Sequence, residues 1–485
     1  LNMEDKCLIV ILGATGDLTK KKLIPAIHNL VANKKIKDFA VVGVGRAHSN
    51  PKLILKKSKK YVEKLNKKTW STLEKRMYYF QADFYDNIGF CKLEEFTKSI
   101  EKKHKLPGNR IFYLATLPSH FKAIADNLSR CGLTKEKIRR KQGFKKNWTK
   151  VVFEKPFGHD LKSAKKINKC IKKVFKEKQI YRIDHYLGKE LIQNIAVARF
   201  TNTILEPLWN KKHIDHIQII LSEDVGIEER GAFYDKYGAI RDVMQNHMMQ
   251  MLSLATMDTP KKLTGNYIRD KKVKILKSIK PSKIKEETIV GQYIGYTKEK
   301  VINKTSSTET FAATKMFIKS RRWKNVPFYF ITGKKMKNKI TSIYIQFKEA
   351  PCLLFSNVCN FKPNYMVIQI QPEEGFYIQL NAKIPGKPDI TSVKMDFCHE
   401  CTFGPGSPVA YENLLNDVII GDQSTFVRTD EIEQQWKIID KIKNSINSTI
   451  KNKKTKLHKY KIGTYPKEAD KLIEKDGREW HLKVK

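Results

Sequence analysis

Residues Cys7–Leu18 read C-L-I-V-I-L-G-A-T-G-D-L. The first half is an unbroken apolar run, suited to a strand buried on both faces of a parallel sheet. Gly13, Ala14, Thr15, Gly16, Asp17 and Leu18 follow, and then Leu23, Ile24, Ile27, Leu30 and Val31 recur at helical spacing. Strand, glycine turn and helix in that order make the first unit of a dinucleotide-binding fold. The glycines let the backbone approach a pyrophosphate, and amides at the helix start stabilise its charge. The spacing is G-x-x-G rather than G-x-G-x-x-G, so a plain tight turn is the competing reading for this stretch alone.

Working outward, the second strand, Phe39–Val44, runs into Gly45 and Arg46. An NAD-binding unit usually has an acidic residue at this tip, bonded to the ribose 2′-hydroxyl; Arg46 suits the 2′-phosphate of NADP instead, by bidentate guanidinium pairing. Tyr78–Gln81 and Ile111–Leu114 read as further strands. Ala115 stands at the carboxyl end of the latter, where doubly wound sheets bind ligands. A lysine-rich loop, 135–150, leads into Val151–Gly158, V-V-F-E-K-P-F-G, where Pro156 biases Lys155 to an extended conformation and aims its side chain. Leu161, Ala164, Ile167, Ile171, Val174 and Phe175 mark an amphipathic helix. Next comes Tyr181–Glu190, Y-R-I-D-H-Y-L-G-K-E, which crowds a carboxylate (Asp184), an imidazole (His185), a phenol (Tyr186), a glycine turn (Gly188) and an ammonium (Lys189) together.

The domain boundary is expected at Ile180, giving a nucleotide-binding Rossmann domain over 1–180 and an α+β domain over 181–485. In the second part Ile214–Glu223 alternates as a strand and Ala239–Met257 is helical. Ser342–Phe347, Tyr365–Gln371 and Phe376–Asn381 read as strands with no helices between them, and a helix around Trp436 closes the pattern. That succession is antiparallel. The fold class is therefore an α/β Rossmann-type domain plus a larger α+β domain with a mainly antiparallel sheet.

Composition narrows the function. Of 485 residues 41% are apolar and 30% charged, which is globular rather than disordered. No apolar run approaches the ~18 residues of a membrane helix. Cys7–Leu12 is short and follows Glu4 and Asp5, unlike a signal peptide. Eight dispersed cysteines predict no disulfide framework and a cytoplasmic setting. Cys398-His399-Glu400-Cys401 lacks a second ligand pair, so no metal site is expected. Basic residues number 94 against 50 acidic, a net +44, yet the lysines lie in nearly every segment without an RNA-binding aromatic pattern. A lysine-biased surface that attracts anionic substrates, with no specific nucleic-acid partner, fits this best.

R-I-D-H-Y-L-G-K-E, over 182–190, resembles the active-site signature of the glucose-6-phosphate dehydrogenase family. Gly13–Leu18 is similar to the family's G-A-S-G-D-L, with Thr15 where serine is usual. E-K-P-F-G and Arg241–His247, R-D-V-M-Q-N-H, also resemble family segments, and the likeness runs in family order from about Cys7 to Trp436. It implies NADP as cofactor, held by Gly13, Thr15, Gly16, Asp17, Leu18, Arg46, Ala115 and Lys155. It implies glucose 6-phosphate as substrate, oxidised to 6-phosphogluconolactone in the first oxidative step of the pentose phosphate pathway. Lys155 would contact both sugar and nicotinamide, and His185, Tyr186 and Lys189 would hold the phosphate. Lys334 and Lys339 match later basic positions; Glu223 and Asp242 match carboxylates that accept from sugar hydroxyls.

By spacing alone His247, on one helical face with Ile240, Val243, Met244, Met251 and Leu254, is a core histidine. The resemblance makes it the base, with Asp184 orienting it and stabilising the imidazolium. It further implies a homodimer or homotetramer. Eukaryotic members hold a second, structural NADP through basic residues where Ile340 and Tyr344 stand here, so that site is expected to be absent or weak. Two rivals remain: another Rossmann-type sugar oxidoreductase with Lys155 as acid/base, and a basic polyanion-binding protein.

Overall fold

The computed structural model describes residues 6–136, 138–139, 145–350, 362–387, 389–404, 410–451 and 457–482. Parts of the lysine-rich stretches 135–150 and 451–461 thus lie outside the described residues. Two compact units form: Leu1–Lys189 with Lys262–Arg269 and Pro408–Ile432, and Glu190–Lys261 with Asp270–Ser407 and Glu433–Lys485.

The first unit is built on six parallel strands, Cys7–Leu12, Phe39–Gly45, Met77–Gln81, Arg110–Leu114, Thr149–Glu154 and Ile180–Ile183. Numbered in that sequence, their spatial order is 3-2-1-4-5-6, the dinucleotide-binding arrangement. The first, second and fourth strands are buried throughout, which is why they read as continuous apolar runs. The helix after the glycine turn opens with a wide turn, Thr19–Leu23, in which the Ile24 amide bonds the Thr19 carbonyl, before Ile24–Ala32 becomes α-helical. Pro25 has no N–H and its ring clashes with the carbonyl four residues back, so the hydrogen bonds shift to the wider pattern.

Ile180, where the sequence suggested a new domain, starts the sixth strand of this sheet, and the change of unit falls after Lys189. The returning segment supplies the helix Ala410–Ile420, whose Leu414, Leu415, Val418 and Ile419 join the core under the first strands. Lys150 donates to the carbonyls of Val418 (2.6 Å) and Ile419 (3.0 Å) at that helix's end, where partial negative charge collects. Cys91 and Cys131 form a disulfide, as do Cys398 and Cys401. This corrects the expectation from cysteine dispersal: Cys91 and Cys131 lie 40 positions apart in sequence, and only the folded chain brings them together.

The second unit is organised on a ten-stranded sheet. Across it run Ile390–Cys398, Gly375–Lys383, Tyr365–Gln371, Ile340–Phe347, Ile214–Ser222, Pro327–Gly333, Phe311–Ile318, Thr288–Tyr293 and His458–Tyr460, with Ile279–Pro281 added to Phe311–Ile318. Most pairs are antiparallel; Ile214–Ser222 with Pro327–Gly333, and Thr288–Tyr293 with His458–Tyr460, are parallel. The expected helix over Ala239–Met257 is present as Ile240–Met248 followed by Met249–Thr256, the first half in the wide i→i−5 form. Among the described residues no helix is long and apolar enough to cross a membrane.

Arg182, completely buried in the sixth strand, fixes the end of the first unit's sheet. Its guanidinium donates to Glu177 Oε1 (2.6 Å) and to Thr429 Oγ1 (2.8 Å), and the Thr429 hydroxyl donates on to Glu177 Oε2 (2.7 Å). Burial pushes the Glu177 carboxyl up, but the Arg182 charge and hydrogen bonds outweigh it and hold it at about 2. A depressed carboxylate contributes stability above its unfolded pKa and loses it as pH falls through the folded one. Glu177→Gln should therefore cost on the order of 3 kcal/mol at neutral pH, since it leaves the Arg182 charge buried without its counterion. The gap between the wild-type and variant unfolding curves should shrink as pH drops from about 4 toward 2. Denaturant unfolding across that range is the check, and a pH-independent gap contradicts the assignment.

Candidate active site

In the first unit the candidate residues leave the carboxyl ends of parallel strands: Gly13–Leu18 after the first, Arg46 after the second, Ala115 after the fourth, Lys155 after the fifth and Asp184 after the sixth. Parallel pairing puts those ends on one edge of the sheet. Gly13 adopts φ +102°, and a Cβ there would stand 2.3 Å from the Ala115 carbonyl oxygen, so only glycine permits the turn and the fourth strand to touch backbone to backbone. The Gly13 carbonyl accepts from the Gly16 amide (3.0 Å) and the Thr19 hydroxyl (3.2 Å). Asp17 is exposed and pairs with Lys21 (3.0 Å), whose hydrogen bond and charge lower its carboxyl pKa. Thr15 and Leu18 are half-buried in the same turn.

Arg46 is held at its backbone and open at its side chain. Tyr79 donates to the Gly45 carbonyl (3.0 Å) and Gln81 to the Arg46 carbonyl (3.0 Å), while the side chain is 69% exposed, 4.0 Å from Asp83. A close-packed glycine turn, with a solvent-facing guanidinium at the tip of the second strand itself, fits a phosphate-bearing dinucleotide. Lys155 is half-buried and its bond to Pro156 is cis. The preceding Glu154 accepts from the Tyr113 (2.6 Å) and Tyr411 (2.9 Å) hydroxyls. Burial raises the Glu154 carboxyl more than those two bonds lower it.

At the sixth strand's end, buried Asp184 caps a short 3₁₀ turn, His185–Gly188, with Oδ1 accepting from the Tyr186 amide (3.0 Å). The turn gathers the three predicted phosphate ligands. The His185 and Tyr186 rings lie 5.0 Å apart, and Lys189 Nζ sits 4.8 Å from the Tyr186 ring centroid. Imidazole, phenol and ammonium on one half-buried turn offer directional donors and a cation to a small anion.

In the second unit Glu223 and Lys334 follow adjacent parallel strands whose ends pair at Ser222 and Gly333. Both side chains therefore emerge at the same edge, and they form an ion pair at 2.5 Å. Lys334, buried, also sits 5.6 Å from the Tyr234 ring centroid. Asp242, buried, pairs with Arg230 (3.2 Å). Lys339 is exposed and makes no ion pair among the described residues; it stands between Asn338, whose carbonyl accepts from the Ser222 hydroxyl, and Ile340, which pairs with Ser222 next to Glu223.

Tyr234 is the residue the sequence did not single out. It is 1% exposed, and its hydroxyl has no hydrogen-bond partner among the described residues. Burial, and then the nearby Asp242, Tyr460, Glu223 and Glu309, push its pKa well up. Nothing in G-A-F-Y-D-K-Y marks it, because the groups that set its surroundings, Asp242, Tyr460, Glu223 and Glu309, lie outside that stretch.

His247 is buried on the wide helix. In an i→i−5 helix residues five apart, such as Asp242 and His247, lie nearly one above the other, as i and i+4 do in an α-helix. The α-helical period put His247 among Ile240, Val243, Met244, Met251 and Leu254; the wider winding aligns it with Asp242 as well.

Residues 10–194 match the family description "Glucose-6-phosphate dehydrogenase, NAD binding domain", and residues 196–481 match "Glucose-6-phosphate dehydrogenase, C-terminal domain". The glucose-6-phosphate 1-dehydrogenase of Bacillus subtilis is 41% identical over 99% of both chains; that of Chlamydia pneumoniae is 40% identical over 98% of this chain and 96% of its own. Among solved structures, a glucose-6-phosphate dehydrogenase in complex with its substrate glucose 6-phosphate superposes with a TM-score of 0.88 at 30% identity, covering 98% of each chain. The Mycobacterium avium glucose-6-phosphate 1-dehydrogenase gives 0.84 at 30%, covering 99% of each. With both halves matched and relatives aligned end to end, the chain belongs to the glucose-6-phosphate dehydrogenase family.

Proposed function

We propose that this chain oxidises the C1 hydroxyl of glucose 6-phosphate to 6-phosphogluconolactone with NADP, in the cytoplasm, as the first oxidative step of the pentose phosphate pathway. The observation that carries the proposal is the His185–Tyr186–Lys189 turn at the carboxyl edge of a dinucleotide-binding sheet, in a chain of this family. When bound, NADP supplies the hydride acceptor. Gly13, Thr15, Gly16, Asp17, Leu18 and Ala115 form its cradle, and Arg46 meets the 2′-phosphate.

His185, Tyr186 and Lys189 hold the sugar phosphate far from the reacting carbon, so binding energy is spent on orienting C1. Lys155 contacts the sugar beside the nicotinamide. Glu223 and Asp242 accept from ring hydroxyls, Lys334 sets the Glu223 carboxylate, and Lys339 stands by as an outer cation. His247 takes the C1-hydroxyl proton, and Asp184 orients its ring and stabilises the imidazolium. Apolar side chains exposed on the edge strand Ile390–Cys398 (Val393, Met395) and on its neighbour Gly375–Lys383 (Leu380) give the proposed homodimer or homotetramer a contact face.

The second, structural NADP site of eukaryotic members is absent or weak here. Ile340 and Tyr344 are buried, and the His481 ring stacks on Tyr344 at 4.4 Å, filling the position with aromatic packing.

Three measurements test these assignments. Following the reduced-nicotinamide absorbance band, His247→Ala should lower kcat by about 10²–10⁴ with substrate affinity largely kept. A larger kcat loss in Lys155→Ala than in His247→Ala would instead favour the rival in which Lys155 is the acid/base. Arg46→Ala should raise KM for NADP about tenfold or more while leaving NAD nearly unchanged; equal effects on both would remove Arg46 from phosphate recognition. A binding titration should find one tight NADP per chain, and two would refute the missing structural site.

A further inference from the structure

The second unit holds a cavity of about 330 Å³ that the proposed chemistry does not use, lined by Lys236, Arg241, Ser307, Thr308, Lys443 and Asn447. That size suits a small metabolite. Lys443 is only 9% exposed and is paired with Glu309. Lys236 and Arg241 make no ion pair among the described residues; Arg241 Nη1 donates to the Lys236 carbonyl (3.4 Å), and its Nε is buried without a hydrogen-bond partner. Three cations against one carboxylate leave two positive charges, the complement of a phosphate monoester, which carries about −1.5 to −2 at neutral pH. Ser307 and Asn447 add neutral donors at the exposed rim.

We propose that this cavity binds a small phosphate-bearing anion, either inorganic phosphate or the phosphate of a compact organic monoester. The Arg241 fork takes two oxygens, and Lys236 and Lys443 neutralise the remainder. The cavity also adjoins the start of the helix that carries His247. Glu309, besides pairing with Lys443, accepts from the Ile240 amide through its side chain (3.4 Å) and from the Ala239 amide through its carbonyl (3.0 Å). Arg241 itself belongs to that helix's first turn. An anion that draws on the Lys443 charge changes the field at Glu309, and with it the anchoring of the first turn of the His247 helix. The effect on turnover rests on the role proposed for His247; the binding does not.

Calorimetric titration of the full chain without sugar, read as the binding that wild type shows beyond Lys236→Glu, tests the site using inorganic phosphate and, separately, adenosine monophosphate. One equivalent of at least one probe should bind. Lys236→Glu and Ser307→Glu, both exposed positions that leave the core intact, should each weaken that binding tenfold or more. The bound probe should also shift kcat at saturating substrate in the wild type and not in the variants. Binding of phosphate alone identifies the free anion as the ligand; preference for the nucleotide identifies an organic monoester. No binding of either probe, or unchanged affinity in both variants, overturns the proposal. If the chain turns over no glucose 6-phosphate, the proposed activity fails, while the same comparison of wild type and Lys236→Glu without sugar still decides the cavity.

Discussion

The buried pair of Arg182 and Glu177 is the constraint on which the first unit's site depends. The sixth strand lies at the edge of the parallel sheet, with a neighbour on one side only. Edge strands are the least restrained members of a sheet, yet this one must deliver Asp184 and the His185–Gly188 turn. Arg182 anchors it from within: its side chain ties back to Glu177 just before the strand and across to Thr429 on the returning segment. Its backbone carbonyl accepts from the Val427 amide (3.1 Å), and Ile183 bridges to Phe426. The free edge is thereby covered by a piece of chain from more than 240 residues away. A charged residue buried in a strand is costly unless it is paired, and here the pairing also fixes where the His185–Gly188 turn begins.

A similar economy governs the second unit. Glu223 and Lys334 are 111 positions apart, but each immediately follows one of two adjacent parallel strands in an otherwise mainly antiparallel sheet. Parallel pairing puts like ends together, so two chain exits meet at one edge and their side chains neutralise each other. Tyr234 packs under that pair, and its unsatisfied buried hydroxyl is the kind of exception that marks polar groups held for function rather than for stability.

The wide turns at Thr19–Leu23 and Ile240–Met248 each sit in or beside a functional segment. The first has a visible cause in Pro25. The second follows a break at Gly238, where φ is +67° and an added Cβ would collide with the Glu309 carboxylate. The winding places Asp242 and His247 in line, which an α-helix of the same residues would not do.

How much of this was legible beforehand depended on the range of the interactions. The apolar strands, the glycine turn, Arg46 at the second strand's tip and the His185–Gly188 turn are local features, written in a few consecutive residues, and they were read from those residues together with a family likeness. The ligand-binding carboxyl edge followed from the parallel pattern, whereas the strand order 3-2-1-4-5-6 came only with the structure. The true end of the first unit was hidden because Arg182's partner at Thr429 and the covering helix Ala410–Ile420 lie far down the chain. The Cys91–Cys131 bond, the Glu223–Lys334 pair, the setting of Tyr234 and the wide winding over Ile240–Met248 were hidden for the same reason. Periodicity reports on neighbours three or four residues away, whereas these features are decided by which distant segments pack together, and that only the tertiary structure determines.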